Sequence, residues 1–167
     1  GSDDYVLFLT ADHAVVPVPQ YLTDRKLPGG YFFIDDHLAD LKLKLTAEFG
    51  DSLIEHQDNL NIYLDHAAAK AKGIDIEEAQ NFISKEVQTW KGVKRSFTAT
   101  QLYGASVDAE WMDMVRKGVH HEESGDVVFI LEPGYLPKHA DSERARKGTS
   151  HGSAFSYDTH VPLLWYG

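Results

Sequence analysis

The chain has 167 residues, 43% of them hydrophobic, with 16 Lys+Arg against 26 Asp+Glu and a formal net charge of −10. That size and apolar content suit one globular domain with a packed core and exclude wholesale disorder. The acidic balance argues against nucleic acid polymers and anionic membrane surfaces as partners, no run approaches the about 18 apolar residues that span a bilayer, and the absence of cysteine excludes disulfides and thiolate metal sites.

Gly1-Ser2 reads as a tag remnant and residues 3–167 as a single domain. Tyr5–Leu9 is an apolar run of strand length, suited to a strand buried on both faces of an α/β sheet. Prolines and a Gly-Gly pair make 17–30 a loop. Tyr31–Ile34 reads as a short strand. Leu38, Leu41, Leu45 and Phe49 form one face of a helix that Gly50 ends. Leu60–Leu64 alternates as a strand, and Asp65–Lys72 is a short helix closed by Gly73. Asp75 and Glu78 stand at capping-box spacing before a helical stripe of Ile76, Ala79, Phe82, Ile83, Val87 and Trp90. Val93–Leu102 reads as strand, Ser106 as the N-cap of a helix over Val107–Lys117, and His120–Gly125 as a polar loop. Val127–Leu131 is the cleanest strand, 137–150 a polar loop, and Val161–Tyr166 the closing strand. Strands alternating with helical stripes predict an α/β fold, a layered sheet with flanking helices. Apolar runs flush with both ends predict a piece of a larger sheet, truncated at both ends, with exposed sheet through which copies would self-associate.

Two segments carry the strongest chemistry. Thr10-Ala11-Asp12-His13 follows the first strand. Open α/β sheets place ligands beyond the carboxyl ends of their strands, and an adjacent carboxylate and imidazole there suit zinc. The same pair also suits a capped turn beside a surface histidine. Thr149-Ser150-His151-Gly152-Ser153 sets an imidazole among small residues, where Gly152 permits close backbone approach. Read alone, it is equally a Gly/Ser loop with an incidental histidine. His120-His121-Glu122-Glu123 reads as a solvated loop and Asp35-Asp36-His37 as an acidic first helical turn. His56, His66 and His139 have no companions in sequence. Arg144, Arg146 and Lys147 either attract an anionic substrate or are merely solvated. No phosphate-cradling glycine loop, H-E-x-x-H, G-x-S-x-G or aromatic-basic pattern is present.

Taken together, the Thr10-Ala11-Asp12-His13 strand end and the run from Thr149-Ser150-His151-Gly152-Ser153 through Tyr157-Asp158-Thr159-His160-Val161-Pro162 resemble hallmark stretches of the alkaline phosphatase superfamily. The resemblance is to its branch of type I phosphodiesterase/nucleotide pyrophosphatase-like enzymes and alkaline phosphatases with a single Thr nucleophile. It covers about 30 residues strongly; the middle of the chain is compatible but less specific.

The resemblance implies an alkaline phosphatase-like core and a site for two zinc ions. By it, Asp12 and His13 are ligands of the zinc that binds the nucleophile, and His151 is a ligand of the other. Asp158 and His160 belong to the same signature and stand behind these ligands. The family's Thr or Ser nucleophile and its remaining ligands precede the Ala-Asp-His motif, where this sequence has nothing to match. The implied reading is the C-terminal part of a zinc-dependent, periplasmic or otherwise exported hydrolase of small phosphate esters. The metal site would be incomplete and the fragment inactive alone. The alternative is a non-catalytic metal- or anion-binding interaction domain.

Overall fold

A computed structural model describes residues 5–104, 111–142 and 146–167. In chain order the elements are β1 (Leu7–Thr10), α1 (Pro19–Asp24), β2 (Gly30–Phe33), α2 (Ile34–Phe49), β3 (Ile54–Asp58), β4 (Asn61–Leu64), α3 (His66–Lys72), α4 (Ile76–Gln88), β5 (Val93–Thr98), α5 (Ala99–Tyr103), α6 (Met112–Lys117), β6 (Val127–Leu131), β7 (Tyr135–Lys138), α7 (Ser156–Thr159) and β8 (Leu163–Tyr166).

The body is a four-stranded antiparallel sheet in the order β3-β4-β6-β5. Every residue of β6 is buried, because both faces of that strand are covered. Val127, Phe129 and Leu131 face a core built with Leu41 and Leu45 of α2, Ala69 of α3 and Ile83 and Val87 of α4. Val128 and Ile130, one residue out of phase, pack on Phe97, Leu102, Met112 and Val115. Helices on both faces of a central sheet give the layered α/β architecture expected.

The helix ends follow their local chemistry. Asp65 caps α3 by accepting the Ala68 N–H at 2.7 Å, and Gly50 ends α2 at a φ of 74° that suits glycine. Asp75 caps α4, but through the Glu77 N–H at 2.8 Å rather than a reciprocal box with Glu78. A full capping box is found instead at Thr98 and Gln101. It stops β5 and starts α5 inside the stretch expected to be all strand.

Other elements also depart from expectation. The loop expected over 17–30 contains α1, where Pro19 sits at the helix start and its missing N–H costs nothing. The polar segment Glu55-His56-Gln57-Asp58 forms most of β3, an edge strand. β7 occupies the start of the expected 137–150 loop and pairs in parallel with β2, Phe32 opposite Pro137. The short α7 lies within the second motif segment. Ser106 and the first part of its predicted helix lie outside the described residues, as does Arg144.

The largest correction concerns the ends. β1 pairs with β8 antiparallel, Phe8 opposite Trp165, but neither strand is buried on either face. The sequence pattern of a buried strand is present without any of the described residues packed over it.

His37, in the first turns of α2, stacks on Phe32 at 5.0 Å and Trp90 at 4.8 Å between ring centres. Burial there lowers its pKa, against the opposing pull of Asp36 and Asp40. The unfolded chain then binds the extra proton more readily than the folded one. The stability held by neutral His37 is complete above the unfolded value of about 6.5 and is lost as pH falls through the lower folded value. Urea midpoints should therefore decline across that interval, and His37→Phe should flatten the decline. An unchanged slope in that variant would overturn the assignment.

Candidate metal centre

The two motif segments come from opposite ends of the chain and meet. Asp12 and His13 follow β1; His151 precedes α7. The His13 and His151 rings stack with centres 3.6 Å apart and planes 12° from parallel. Main-chain bonds hold the segments together: the Ala14 N–H donates to Asp158 O at 2.8 Å and the Val16 N–H to Ser150 O at 2.9 Å. The Thr149 hydroxyl donates to the Val16 carbonyl.

The proton on His13 is fixed by its neighbour. Its Nδ1 lies 2.8 Å from the Ala14 carbonyl oxygen, which can only accept, so Nδ1 carries a proton and, in the neutral ring, the lone pair is on Nε2. Asp12 accepts the His13 N–H with Oδ1 at 3.1 Å, and its Oδ2 lies 3.7 Å from His13 Nε2. Two donors on one tetrahedral zinc ion, with bonds of about 2.0–2.1 Å, lie about 3.3 Å apart. The pair is thus close to the separation a shared ion requires. Asp12 is well exposed and His13 half-exposed.

Asp158 is 2% exposed. Its Oδ2 accepts the Ser153 N–H at 2.6 Å, while Oδ1 is buried without a hydrogen-bond partner. It bonds neither imidazole, and the ring proton of His13 is held by the Ala14 carbonyl. His160 is exposed. Its main-chain N–H closes onto Ser156 O at 3.0 Å, and among the described residues no ring contact joins it to His13 or His151. Nor, among the described residues, do three His, Asp or Glu side chains converge as a preformed metal site.

Beside His151 the surface is concave. A cavity of about 540 Å³ opens beside His151, with Phe129 and Ile130 of β6 and Met114 and Val115 of α6 in its wall. Arg146, a candidate for anion attraction, is instead bound to Asp141 through its Nε and Nη2, which lowers the Asp141 pKa.

A second polar cluster has no trace in the sequence. Asp126, 9% exposed, accepts from the Leu64 N–H at 2.8 Å, from Gln80 Nε2 at 3.0 Å and from His66 Nε2 at 2.8 Å. Nothing in local spacing marks His66 and Asp126 as partners; the pairing of β4 with β6 brings them together. His121 and Glu122 do form the solvated turn expected, with 3.7 Å between them.

No protein-family model matches the chain. It is 28% identical, over its whole length, to the alkaline phosphatase PafA of Elizabethkingia meningoseptica and spans 30% of that protein. It is 30% identical to a protein of Myroides odoratus named calcium-transporting ATPase, again spanning 30% of it. With the alkaline phosphatase PhoV of Synechococcus elongatus it shares 27% identity over 29% of that protein. The crystal structure of wild-type PafA superposes on 98% of the chain with a TM-score of 0.81 at 27% identity, covering 30% of the PafA chain. The chain therefore spans about a third of the length of the relatives it matches. PafA and PhoV, both alkaline phosphatases, are thus similar to the chain over its whole length, and PafA is similar to it in fold as well.

Proposed function

We propose that the chain carries part of the metal site of a zinc-dependent phosphate-ester hydrolase, with Asp12 and His13 as ligands of one ion and His151 as a ligand of a second. The observation that carries this reading is the stacking of His13 on His151. The ring spacing is comparable with the about 3.5–4 Å between ions in two-metal phosphoryl-transfer sites. Bound there, zinc supplies Lewis-acid stabilisation of phosphoryl oxygens.

The chain's own contributions are those of holding and orienting. Ala14 O keeps the proton of His13 on Nδ1, which leaves Nε2 as the donor to an ion. Asp12 adds an anionic oxygen close by. The Thr/Ser nucleophile and further ligands belong to polypeptide outside this sequence, so the chain alone is inactive. A small phosphomonoester is the favoured substrate, because PafA and PhoV are named alkaline phosphatases. Phosphodiester or nucleotide pyrophosphate hydrolysis is the runner-up within the same chemistry. The working location of the parent enzyme is periplasmic or otherwise exported; among the described residues no helix is long and apolar enough to cross a membrane.

Zinc titration by calorimetry, beside a 4-nitrophenyl phosphate assay, tests this. The expected result is weak zinc binding that His13→Ala and His151→Ala each reduce at least about tenfold, with no turnover. Zinc binding indifferent to both substitutions would overturn the ligand assignment, and metal-dependent turnover would overturn the missing nucleophile. Absence of any zinc binding would favour an anion-binding interaction domain.

A further inference from the structure

We infer that Asp158 is a positioning residue that keeps His13 and His151 in register, acting through the main chain beside each of them rather than through an imidazole. The inference rests on the reading above only for what the pair is used for; the positioning itself is a statement about this fold.

Asp158 touches both arms. Its carbonyl oxygen accepts the N–H of Ala14, the residue after His13, at 2.8 Å. Its carboxylate accepts the N–H of Ser153, two residues after His151, at 2.6 Å. Between His151 and Ser153 stands Gly152 at a φ of +99°, a conformation in which the chain has no side chain to brace it. The Asp158 carboxylate supplies the brace. One residue thus fixes the height of both rings, and the rings stack.

Asp158 is 2% exposed, and of its two carboxylate oxygens only the one that accepts from Ser153 has a hydrogen-bond partner among the described residues, so that bond is the one polar use the fold makes of the carboxylate.

The flanking residues anchor the turn independently. Phe155 is buried with its ring 5.1 Å from that of Trp111, and the Tyr157 hydroxyl accepts the Gly134 N–H at 3.2 Å. Removing the Asp158 carboxylate should free 151–153 and leave α7 and the sheet in place.

The experiment compares Asp158→Ala with Asp158→Asn in the 167-residue chain. The ring-proton signals of His13 and His151, assigned through His→Gln variants, report the stack by their mutual ring-current shift. Calorimetry with zinc alone reports the ligand pair, and thermal unfolding reports the body. Asp158→Ala should abolish the ring-current shift and weaken zinc binding by about 10–100-fold with the melting transition retained. Asp158→Asn, whose amide oxygen still accepts from Ser153, should restore the shift. Ring signals unmoved in Asp158→Ala, or lost equally in Asp158→Asn, overturn the inference. Signals that respond as expected in a protein indifferent to zinc uphold the positioning role and overturn the metal-site reading instead.

Discussion

Phe129→Ala is expected to lower the stability of the chain by about 3–5 kcal/mol, the range for removing a large aromatic ring from a close-packed core. Phe129 is fully buried at the centre of β6. Its ring meets Phe32 and Trp90, each with centres 5.9 Å away in edge-to-face geometry. Phe32 belongs to β2 and Trp90 lies just beyond the end of α4, so the ring packs against both flanks of one core. The main chain beside it is held by its own bond, the Phe129 N–H donating to Leu60 O at 3.0 Å. The strand will not shift to fill the hole. Domains of this kind are stable by only about 5–15 kcal/mol, so the substitution removes from about a fifth of the total to all of it. Denaturant unfolding checks it: the midpoint should fall with the slope retained, and Phe129→Leu should recover part of the loss. A shift below about 1 kcal/mol would mean that the cavity collapses and that β6 is not the keystone of the packing.

The second large effect is on association. In β1, β8 and the residues before β1, Tyr5, Val6, Leu7, Phe8, Leu9, Leu163, Leu164, Trp165 and Tyr166 are each between 58% and 71% exposed. If each leaves roughly 100–150 Å² in water, the ribbon presents on the order of 1,000 Å² of apolar surface. A typical monomer's largest patch is about 300–600 Å², and a standard interface buries about 800 Å² per partner. Both faces of the ribbon are open, and both of its edges are unpaired among the described residues. The chain is therefore expected to sediment as a dimer or larger species at high concentration. The double substitution of Phe8→Lys and Trp165→Lys, which places a charge on each strand at the cross-strand pair, should return it to a monomer. A strictly monomeric profile of the unsubstituted chain would overturn the expectation.

The body of the fold was legible because its pattern is local. The stripe of α4 and the apolar run of β6 announce themselves in any window of the sequence, and Gly50 and Gly73 end their helices where expected. β3 and β7 were not legible. An edge strand needs no apolar alternation, and a proline opposite Phe32 in a two-stranded pair breaks no ladder further out. α1 was hidden because the proline that opens it reads as a breaker. For the site, Asp12-His13 and His151 were each ambiguous in isolation, and only their combination with the closing signature singled them out. What the structure adds is contact: one ring against the other, a main-chain partner for Nδ1, and an aspartate bonded to a neighbouring amide instead of an imidazole. The His66–Asp126 pair had no sequence signal, since strand pairing alone makes the two residues neighbours.

The pairing of β1 with β8 ties residues 7–10 to residues 163–166, so it closes most of these 167 residues into one ring. Closing a loop of that length costs roughly 2–2.5 kcal/mol more than closing one of 10 residues. Little apolar burial repays that cost. The two arms that carry Asp12, His13 and His151 are thus expected to assemble last and to open first, with the four-stranded body still folded. Anything that bridges the arms is linked to this closure. Its apparent affinity falls by the fraction of molecules whose ends are apart, and whatever secures the ends sharpens the site without touching it.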